Sequence, residues 1–119
     1  MSDSPDSTIP CGVKHDDNKA RYDLLPPEAI ASLVDIRTYG AKKYGDRNWE
    51  RGINYSRLVA ALLRHLSAWL LGERLDQESH LPHLAHAFCT LAFLLTLEKR
   101  YSAGSLDDLP YASKRRVNP

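Results

Sequence analysis

The chain has 119 residues, which fits one domain large enough to bury its own hydrophobic core. Its 16 basic and 15 acidic side chains leave a net charge of +1, so we expect no stable nucleic-acid binding of the kind that a basic excess supports. No apolar run approaches the roughly 18 residues of a transmembrane helix, and the opening stretch MSDSPDSTIP lacks the hydrophobic region of a signal peptide. We therefore expect a cytoplasmic protein with reduced cysteines and no membrane partner.

The chain begins with a polar segment that leads into a first helix. Residues 1–20 are rich in Ser, Asp, Pro and Asn, which predicts a flexible N-terminal segment. In the stretch LPPEAIASLVDIRTYGAKKYG, the two prolines suit the first turn of a helix. We expect Gly40 to interrupt this helix and Gly45 to end it. The following stretch, DRNWERGINY, predicts a loop.

Two further helices follow, and both are strongly apolar. Asn54 or Ser56 suits the cap of a helix from about 55 to 71, whose apolar residues recur at helical spacing along one face. The third helix spans about 82 to 100 and is apolar nearly all round. Such a helix either lies at the centre of its fold or faces another subunit.

The predicted fold is all-α, a bundle of three main helices with room for a short fourth. No segment shows the strict alternation of a strand. We assign residues 21–101 to the helical domain. Residues 102–119, which carry turn residues and a short basic run, are assigned to a C-terminal tail.

Acidic and histidine side chains concentrate in the link between the second and third helices, in the stretch GERLDQESHLPHLAHA. His83 and His86 lie about one turn apart at the start of the third helix, and His65 lies on the apolar face of the second. If these helices are antiparallel neighbours, the side chains can approach one pocket. Carboxylate oxygens suit Mg²⁺ or Mn²⁺, whereas imidazole suits Mn²⁺ and heavier ions better. The candidate metal ligands are Glu73, Asp76, Glu78, His83 and His86.

The same residues also have a purely structural interpretation. A histidine on an apolar helix face is usually a satisfied core residue, and carboxylates in a link are usually solvated or cap a helix. Seven titratable side chains within residues 73–86 favour a site over this interpretation. Their spacing alone matches no short motif with an assigned mechanism.

A second group of polar residues lies in GAKKYGDRNWERG, residues 40–52. Lysine and arginine supply charge-assisted hydrogen bonds to phosphate, an aromatic face can stack on a base, and an amide can read a base edge. A nucleotide pocket needs this combination, although a solvated loop anchored by its tryptophan would have the same composition. The candidate substrate-binding residues are Lys42, Lys43, Arg47, Asn48, Trp49 and, from the second helix, Arg64.

Two other classes of protein remain as alternatives. His15 and Asp16 form an HD dipeptide, which metal-dependent phosphohydrolases of the HD class use, but here it falls in a predicted loop with no helix around it. The first alternative is therefore an HD-type deoxynucleotide phosphohydrolase. The second is a small helical binding protein without catalysis, in which the acids and histidines are structural.

Four stretches, in this order and spacing, together resemble one family: KARYDLLPPEAI, YGAKKYGDRNWERGINYSRL, LLRHLSAWLLGE and DQESHLPHLAHA. They are similar to the phage dATP/dGTP diphosphohydrolases, a MazG-like all-α group of nucleotide pyrophosphohydrolases that includes the MazZ enzymes. The resemblance covers roughly residues 14–98.

This resemblance implies a fold, an assembly and a reaction. The fold would be a MazG-like helical bundle that assembles as a homo-oligomer, either a dimer or a tetramer. The reaction would be Mg²⁺- or Mn²⁺-dependent hydrolysis of a purine deoxynucleoside triphosphate, dGTP or dATP, to the monophosphate and pyrophosphate. In MazZ-bearing phages, the dGMP so made would feed the synthesis of 2-aminoadenine nucleotides.

The chain departs from the MazG-like pattern, which places ExxE on one helix and ExxD on the next. Aligned by helix order, the first motif falls near residues 64–67, where there is no acid, and the second falls at His83–His86. Either imidazoles replace carboxylates, or the link supplies the metal site. The catalytic candidates are therefore Glu73, Asp76, His65 and His83.

The resemblance also implies roles for individual side chains. One of the link carboxylates, or His65, would be the general base. The basic residues would hold the triphosphate, while Asn48 and Trp49 would recognise the base. Tyr22 and Asp23 would close the pocket or contact the ribose.

Overall fold

The computed structural model describes residues 11–102 and 104–116. These contain four helices: α1, Pro27–Tyr44; α2, Tyr55–Leu70; α3, His83–Arg100; and the short α4, Ala112–Arg116. Single 3-10 turns lie at Tyr22–Leu24 and Asn48–Arg51. The described residues contain no strand, which confirms the all-α prediction, and none of their helices is long and apolar enough to cross a membrane.

The first helix is longer and more regular than its sequence suggests. It begins at Pro27 and ends at Gly45, whose φ of 96° is a backbone conformation that favours glycine. The prediction that Gly40 interrupts α1 was wrong, because the helix runs through it. A glycine costs only about 1 kcal/mol in a helix interior, and the packing of α1 against α3 offsets that cost. Of the predicted N-terminal segment, residues 11–20 are exposed and non-helical, and residues 1–10 lie outside the described part.

Helices α2 and α3 form an antiparallel pair. His65, in the second half of α2, contacts His83 at the start of α3, while Gly52, just before α2, lies against Tyr101 at the end of α3. The link between them, residues 71–82, closes one end of the pair. A bridge between Leu75 and Pro82 draws the two ends of this link together.

The core lies where α1 packs on α3. Ile36 from α1 meets Ala85 and Cys89 from α3, with Leu33, Leu81 and Phe93 around them. Burial raises the pKa of the Cys89 thiol to about 11, so it stays protonated and packs as a small apolar group.

The opposite face of α3 is apolar but exposed. Leu84, Phe88, Leu91 and Leu95 form one stripe along the helix, with exposed fractions of 46%, 40%, 52% and 56%. Helix α3 is therefore central to the chain on one face only. The other face is available for contact beyond the single chain.

The C-terminal segment folds back onto the start of α2. The Asp108 carboxylate accepts hydrogen bonds from the Ser56 backbone N–H (2.8 Å) and Oγ (2.6 Å), and the Tyr55 N–H donates to the Leu106 carbonyl (3.0 Å). Asn54 occupies the cap position but makes no side-chain capping bond, so the segment supplies this cap instead. Leu106 also packs closely on Gly52, which has a φ of 102°. The residues assigned to a tail thus pack on the helical domain.

Candidate functional site

A cleft of about 760 Å³ opens between α1, α2 and α3, a volume within the usual range for small-molecule sites. Its lining combines histidine, acidic, basic, aromatic and amide side chains, and the aromatic Tyr39 lies against Glu78 and His86. The polar and aromatic side chains that line it are Tyr39, Lys43, Tyr44, Asn48, Trp49, Asn54, Arg57, Arg64, His65, Asp76, Glu78, His86, Thr90 and Phe93.

Two imidazoles and a carboxylate form a chain of contacts at the closed end. His83 Nδ1 lies 2.8 Å from His65 Nδ1, and His83 Nε2 lies 2.6 Å from Glu73 Oε1. The His83 ring is fixed in place, because only 4% of the residue is exposed and both of its nitrogens have partners. Burial at the start of α3 and the contact with Glu73 of the link thus together orient the His83 imidazole.

The contact with Glu73 fixes which nitrogen of His83 carries a proton. A carboxylate can only accept, so His83 donates through Nε2–H to Glu73. The other ring nitrogen of His83, Nδ1, shares the next hydrogen bond of the chain with His65 Nδ1, 2.8 Å away. The hydrogen bond from His83, followed by one from Gln77, holds the pKa of Glu73 below its usual range. Glu73 is therefore ionised at neutral pH.

Asp76 and His86 are held by the same link residue. The Ser79 backbone N–H donates to Asp76 Oδ2 at 2.8 Å, and Ser79 Oγ lies 2.7 Å from His86 Nε2. Burial alone would raise the pKa of Asp76, but the Ser79 hydrogen bonds outweigh it and lower the pKa. Asp76 therefore carries a negative charge next to the imidazoles.

The histidine rings also stack on one another. His65 and His86 are parallel within 2°, with their ring centroids 4.4 Å apart. Burial lowers the pKa of both residues, and each is lowered further by neighbouring histidines. Both rings are consequently neutral at neutral pH, the state in which imidazole can bind a metal ion.

Only some of the predicted metal ligands converge on one point. One ligand atom each from His65, Asp76 and His83 lies within 4.8 Å of the others. The sequence predicted Asp76 and His83 as ligands, and it predicted His65 as catalytic. The other predicted ligands have different contacts, because Glu73 binds His83 and His86 binds Ser79.

The remaining predicted ligand, Glu78, faces α1. Its Oε2 accepts a hydrogen bond from the Tyr39 hydroxyl at 2.8 Å and forms an ion pair with Lys43. The hydrogen bond from Lys43, followed by that from Tyr39, lowers the pKa of Glu78, and the same ion pair raises the pKa of Lys43. Glu78 therefore ties the link to α1 across the cleft.

The predicted substrate-binding residues divide between the cleft and the surface. Those that line the cleft are Lys43, Asn48, Trp49 and Arg64. Lys42 lines a separate shallow groove on α1, and Arg47 forms an ion pair with Glu50 at 2.6 Å. Neither Lys42 nor Arg47 belongs to the cleft lining.

The two pairs predicted near the N-terminus also lie outside the cleft lining. Asp23 is paired with Arg21 at 2.7 Å in an exposed turn that also holds Tyr22. His15 and Asp16 lie in an exposed segment without helix, so the structure gives the HD alternative no helical support.

Trp49 is already stacked within the protein. Its ring lies on Phe93 with a centroid distance of 4.3 Å and an interplanar angle of 11°. Arg37 lies over Phe93 at 5.1 Å, and Arg100 lies over Trp49 at 5.7 Å. By contrast, Tyr44 also lines the cleft and is 62% exposed. Tyr44 is therefore the more accessible aromatic surface.

Sequence reasoning overlooked Tyr39, Arg57 and Ser79. Tyr39 and Arg57 line the cleft, and Ser79 holds both Asp76 and His86. The Asp-x-x-Ser spacing of Asp76 and Ser79 is a local hydrogen-bonding signal that could have identified Ser79. Tyr39 and Arg57 carry no such signal, because their place in the cleft depends on how α1 and α2 each pack on α3.

Comparisons with known proteins agree with the motifs. A family model described as dATP/dGTP diphosphohydrolase, N-terminal, matches residues 11–108. A protein named dATP/dGTP diphosphohydrolase from Salmonella phage PMBT28 is 34% identical over 86 residues, which are 72% of this chain and 29% of that relative. The chain thus spans less than a third of the curated relative, and no solved structure matches it. Because the family model covers most of the sequence, the chain belongs to the dATP/dGTP diphosphohydrolase N-terminal family.

Proposed function

We propose that the cleft hydrolyses a purine deoxynucleoside triphosphate, dGTP or dATP, to the monophosphate and pyrophosphate with the help of a divalent metal ion. The observation that carries this proposal is one cleft whose lining combines His65, His86 and Asp76 with basic side chains and exposed aromatic surface. The name of the phage relative supports the same substrates.

The basic residues of the cleft would hold the triphosphate. Lys43, Arg57 and Arg64 line the cleft on α1 and α2, and each can donate charge-assisted hydrogen bonds to phosphate oxygens. Lys43 is already paired with Glu78, so a phosphate would compete with that carboxylate for it. Arg64 lines the same cleft as His65, and its charge is near enough to contribute to the lowered pKa of that histidine.

An aromatic ring and two amides of the cleft lining would bind the base. Tyr44 offers an exposed ring for stacking, and Asn48 and Asn54 offer amides that can donate to and accept from a base edge. Trp49 would support this part of the cleft through its contact with Phe93.

His65, His83 and Asp76, the histidine–aspartate cluster, would act on the phosphate group that is cleaved. A bound divalent ion would neutralise phosphate charge and make a water molecule more acidic. Asp76 would contribute the negative charge that holds the ion, and His65 and His83 would contribute nitrogen lone pairs. Glu73 would keep His83 in the orientation that its 2.6 Å contact already gives.

A product assay tests the proposal. The purified protein is incubated with each of the four dNTPs and with GTP, in Mn²⁺, in Mg²⁺ and in EDTA, and products are separated by chromatography. We expect dGMP or dAMP with an equal amount of pyrophosphate, and only when metal is present. Inorganic phosphate or triphosphate as product would favour the HD-type alternative. No turnover on any nucleotide would favour a binding protein.

We also propose that the protein assembles as a homo-oligomer through the exposed stripe of α3. A stripe of four large apolar side chains, each at least 40% exposed, is unusual for a surface that faces water alone. Light scattering should give a dimer or tetramer, and Leu91→Glu should shift the mass toward the monomer. Lys99→Glu on the same helix is the matched control. A monomeric wild-type protein would rule out this assembly.

The product would supply nucleotide synthesis. Since the named relative is a phage protein, we propose that the reaction takes place in host cytoplasm and that its dGMP feeds the synthesis of 2-aminoadenine nucleotides. Nucleoside analysis of phage DNA, with and without this protein, tests the link. Unchanged 2-aminoadenine content would contradict it.

A further inference from the structure

We infer that Tyr39 and Lys43 form an oxygen-anion subsite of the cleft, which the Glu78 carboxylate occupies in the free chain and which a phosphate oxygen of the substrate takes over on binding. The inference rests on the proposed function for the identity of that substrate. Glu78 would regulate the site as an internal competitor for phosphate. Tyr39 would be a phosphate-binding residue in addition to the basic side chains.

The two donors of this subsite converge on a single oxygen atom. Tyr39 and Lys43 lie one turn apart on α1, a spacing that places both on one face of the helix. The Tyr39 hydroxyl donates to Glu78 Oε2 at 2.8 Å, and the Lys43 ammonium forms an ion pair with the same oxygen. Phosphate oxygens accept the same charge-assisted hydrogen bonds as a carboxylate, so either anion can fill this position.

The subsite lies in the cleft, next to the histidines. Tyr39, Lys43 and Glu78 all line the cleft. The Tyr39 ring meets His86 edge to face, with a centroid distance of 6.2 Å and an interplanar angle of 89°. A phosphate group held by Tyr39 and Lys43 would therefore lie beside the His86 imidazole, in the same cleft as His65.

The carboxylate that now fills the subsite is held weakly enough to be displaced. The side chain of Lys43 is 39% exposed and that of Glu78 is 63% exposed. An ion pair with this exposure contributes little net stability, because water competes for both partners. A triphosphate brings several negative charges where Glu78 brings one, so the triphosphate would win the competition for Lys43 and for the Tyr39 hydroxyl.

Glu78 can leave the subsite without moving the rest of the link. Hydrogen bonds hold the backbone of the link, since the Asp76 N–H donates to the Leu81 carbonyl and the His80 N–H donates to the Asp76 carbonyl, both at 2.8 Å. The Glu78 side chain extends from this framework to α1. Rotation about its own side-chain torsions therefore frees the subsite, while Asp76 stays in place.

Pyrophosphate binding in metal-free buffer, measured by isothermal titration calorimetry, tests the inference. Glu78→Gln removes the competing charge, and we expect it to tighten pyrophosphate binding by roughly three- to tenfold. Tyr39→Phe keeps the ring beside His86 but removes the donor, so in the Glu78→Gln protein it should weaken binding by roughly three- to tenfold. Asp46→Asn is the matched control, because it removes one negative charge from an exposed residue outside the cleft lining and should leave the affinity unaltered.

A double-mutant cycle with Lys43 separates direct competition from a general effect of charge. In a Lys43→Met protein the subsite has lost its cation, so Glu78→Gln should give little further gain in affinity. An undiminished gain in that background, or an equal gain from Asp46→Asn, would overturn the inference. Unchanged, weaker or undetectable pyrophosphate binding in the Glu78→Gln protein would overturn it as well. Far-UV circular dichroism checks that each variant folds.

Turnover assays distinguish this inference from the proposed function. Tighter pyrophosphate binding by Glu78→Gln, together with a wild-type protein that hydrolyses no dNTP, would leave the subsite and its internal competitor standing and remove the function. Metal-dependent hydrolysis by the wild type, together with pyrophosphate binding that Glu78→Gln leaves unchanged, would keep the function and remove the inference.

Discussion

Asp76→Asn is expected to lower kcat for purine dNTP hydrolysis by at least about 100-fold, the scale seen when one polar group facing a reaction centre is lost. The substitution removes the negative charge that lies next to two neutral imidazoles, yet it keeps an oxygen that can accept the Ser79 N–H. The loss should therefore come from the missing charge, since the link can keep its shape. Steady-state kinetics with Mn²⁺ and dGTP, together with thermal unfolding, measure both effects.

Asp35→Asn is the matched control for this change. Asp35 is exposed on α1 and does not line the cleft, so the same loss of one charge should leave kcat unaltered. An Asp76→Asn protein with wild-type kcat would remove Asp76 from the chemistry. Equal losses in both variants would point to net charge as the cause.

The aromatic residues of the cleft should respond to substitution in opposite ways. Trp49→Ala removes the ring that stacks on Phe93 at 4.3 Å, and we expect the free energy of unfolding to fall by about 2–3 kcal/mol, somewhat below the loss at a fully buried site. Tyr44→Leu removes a ring that is 62% exposed, so stability should change little. If Tyr44 stacks on the base, its loss should raise KM by roughly tenfold.

Urea unfolding and dGTP kinetics on the two variants measure both quantities. Trp49→Phe keeps a ring on Phe93 and should recover most of the stability lost in Trp49→Ala. Tyr22→Leu changes a tyrosine that is 80% exposed and does not line the cleft, so it should leave KM unaltered. A large KM increase for Trp49→Phe with no effect from Tyr44→Leu would indicate that Trp49, and not Tyr44, recognises the base.

The sequence predicted the helices well because their signals are local. The start of α1 at a proline, the end of α1 at Gly45 and the apolar spacing of α2 all depend on residues within a few positions of one another. The wrong prediction that Gly40 interrupts α1 arose because the state of this residue is not set locally. Its helical state depends on the packing of α1 on α3, which helix propensity does not include.

The site was predictable as a group of residues but not as a geometry. Sequence spacing brought His83 and His86 to one end of α3 and the acids to the adjoining link. It could not show that Glu73 contacts His83 or that Glu78 pairs with Lys43, 35 residues away. Nor could it show that Trp49 stacks on Phe93, because that contact joins segments 44 positions apart. Such contacts arise from tertiary packing, and no short motif reports them.

The C-terminal segment packs against the start of α2, and this contact restricts which residue can occupy position 52. A Cβ at position 52 would lie 3.2 Å from a methyl group of Leu106, and the φ of 102° disfavours any side chain there. Gly45 and Gly72 have comparable φ values but open space around them, so substitution at those positions would cost backbone strain alone. A substitution at position 52 would therefore cost backbone strain and also require Leu106 to move, so we expect this position to remain glycine. The close approach of Leu106 thus adds a second restriction to position 52, from a residue 54 positions further along the chain.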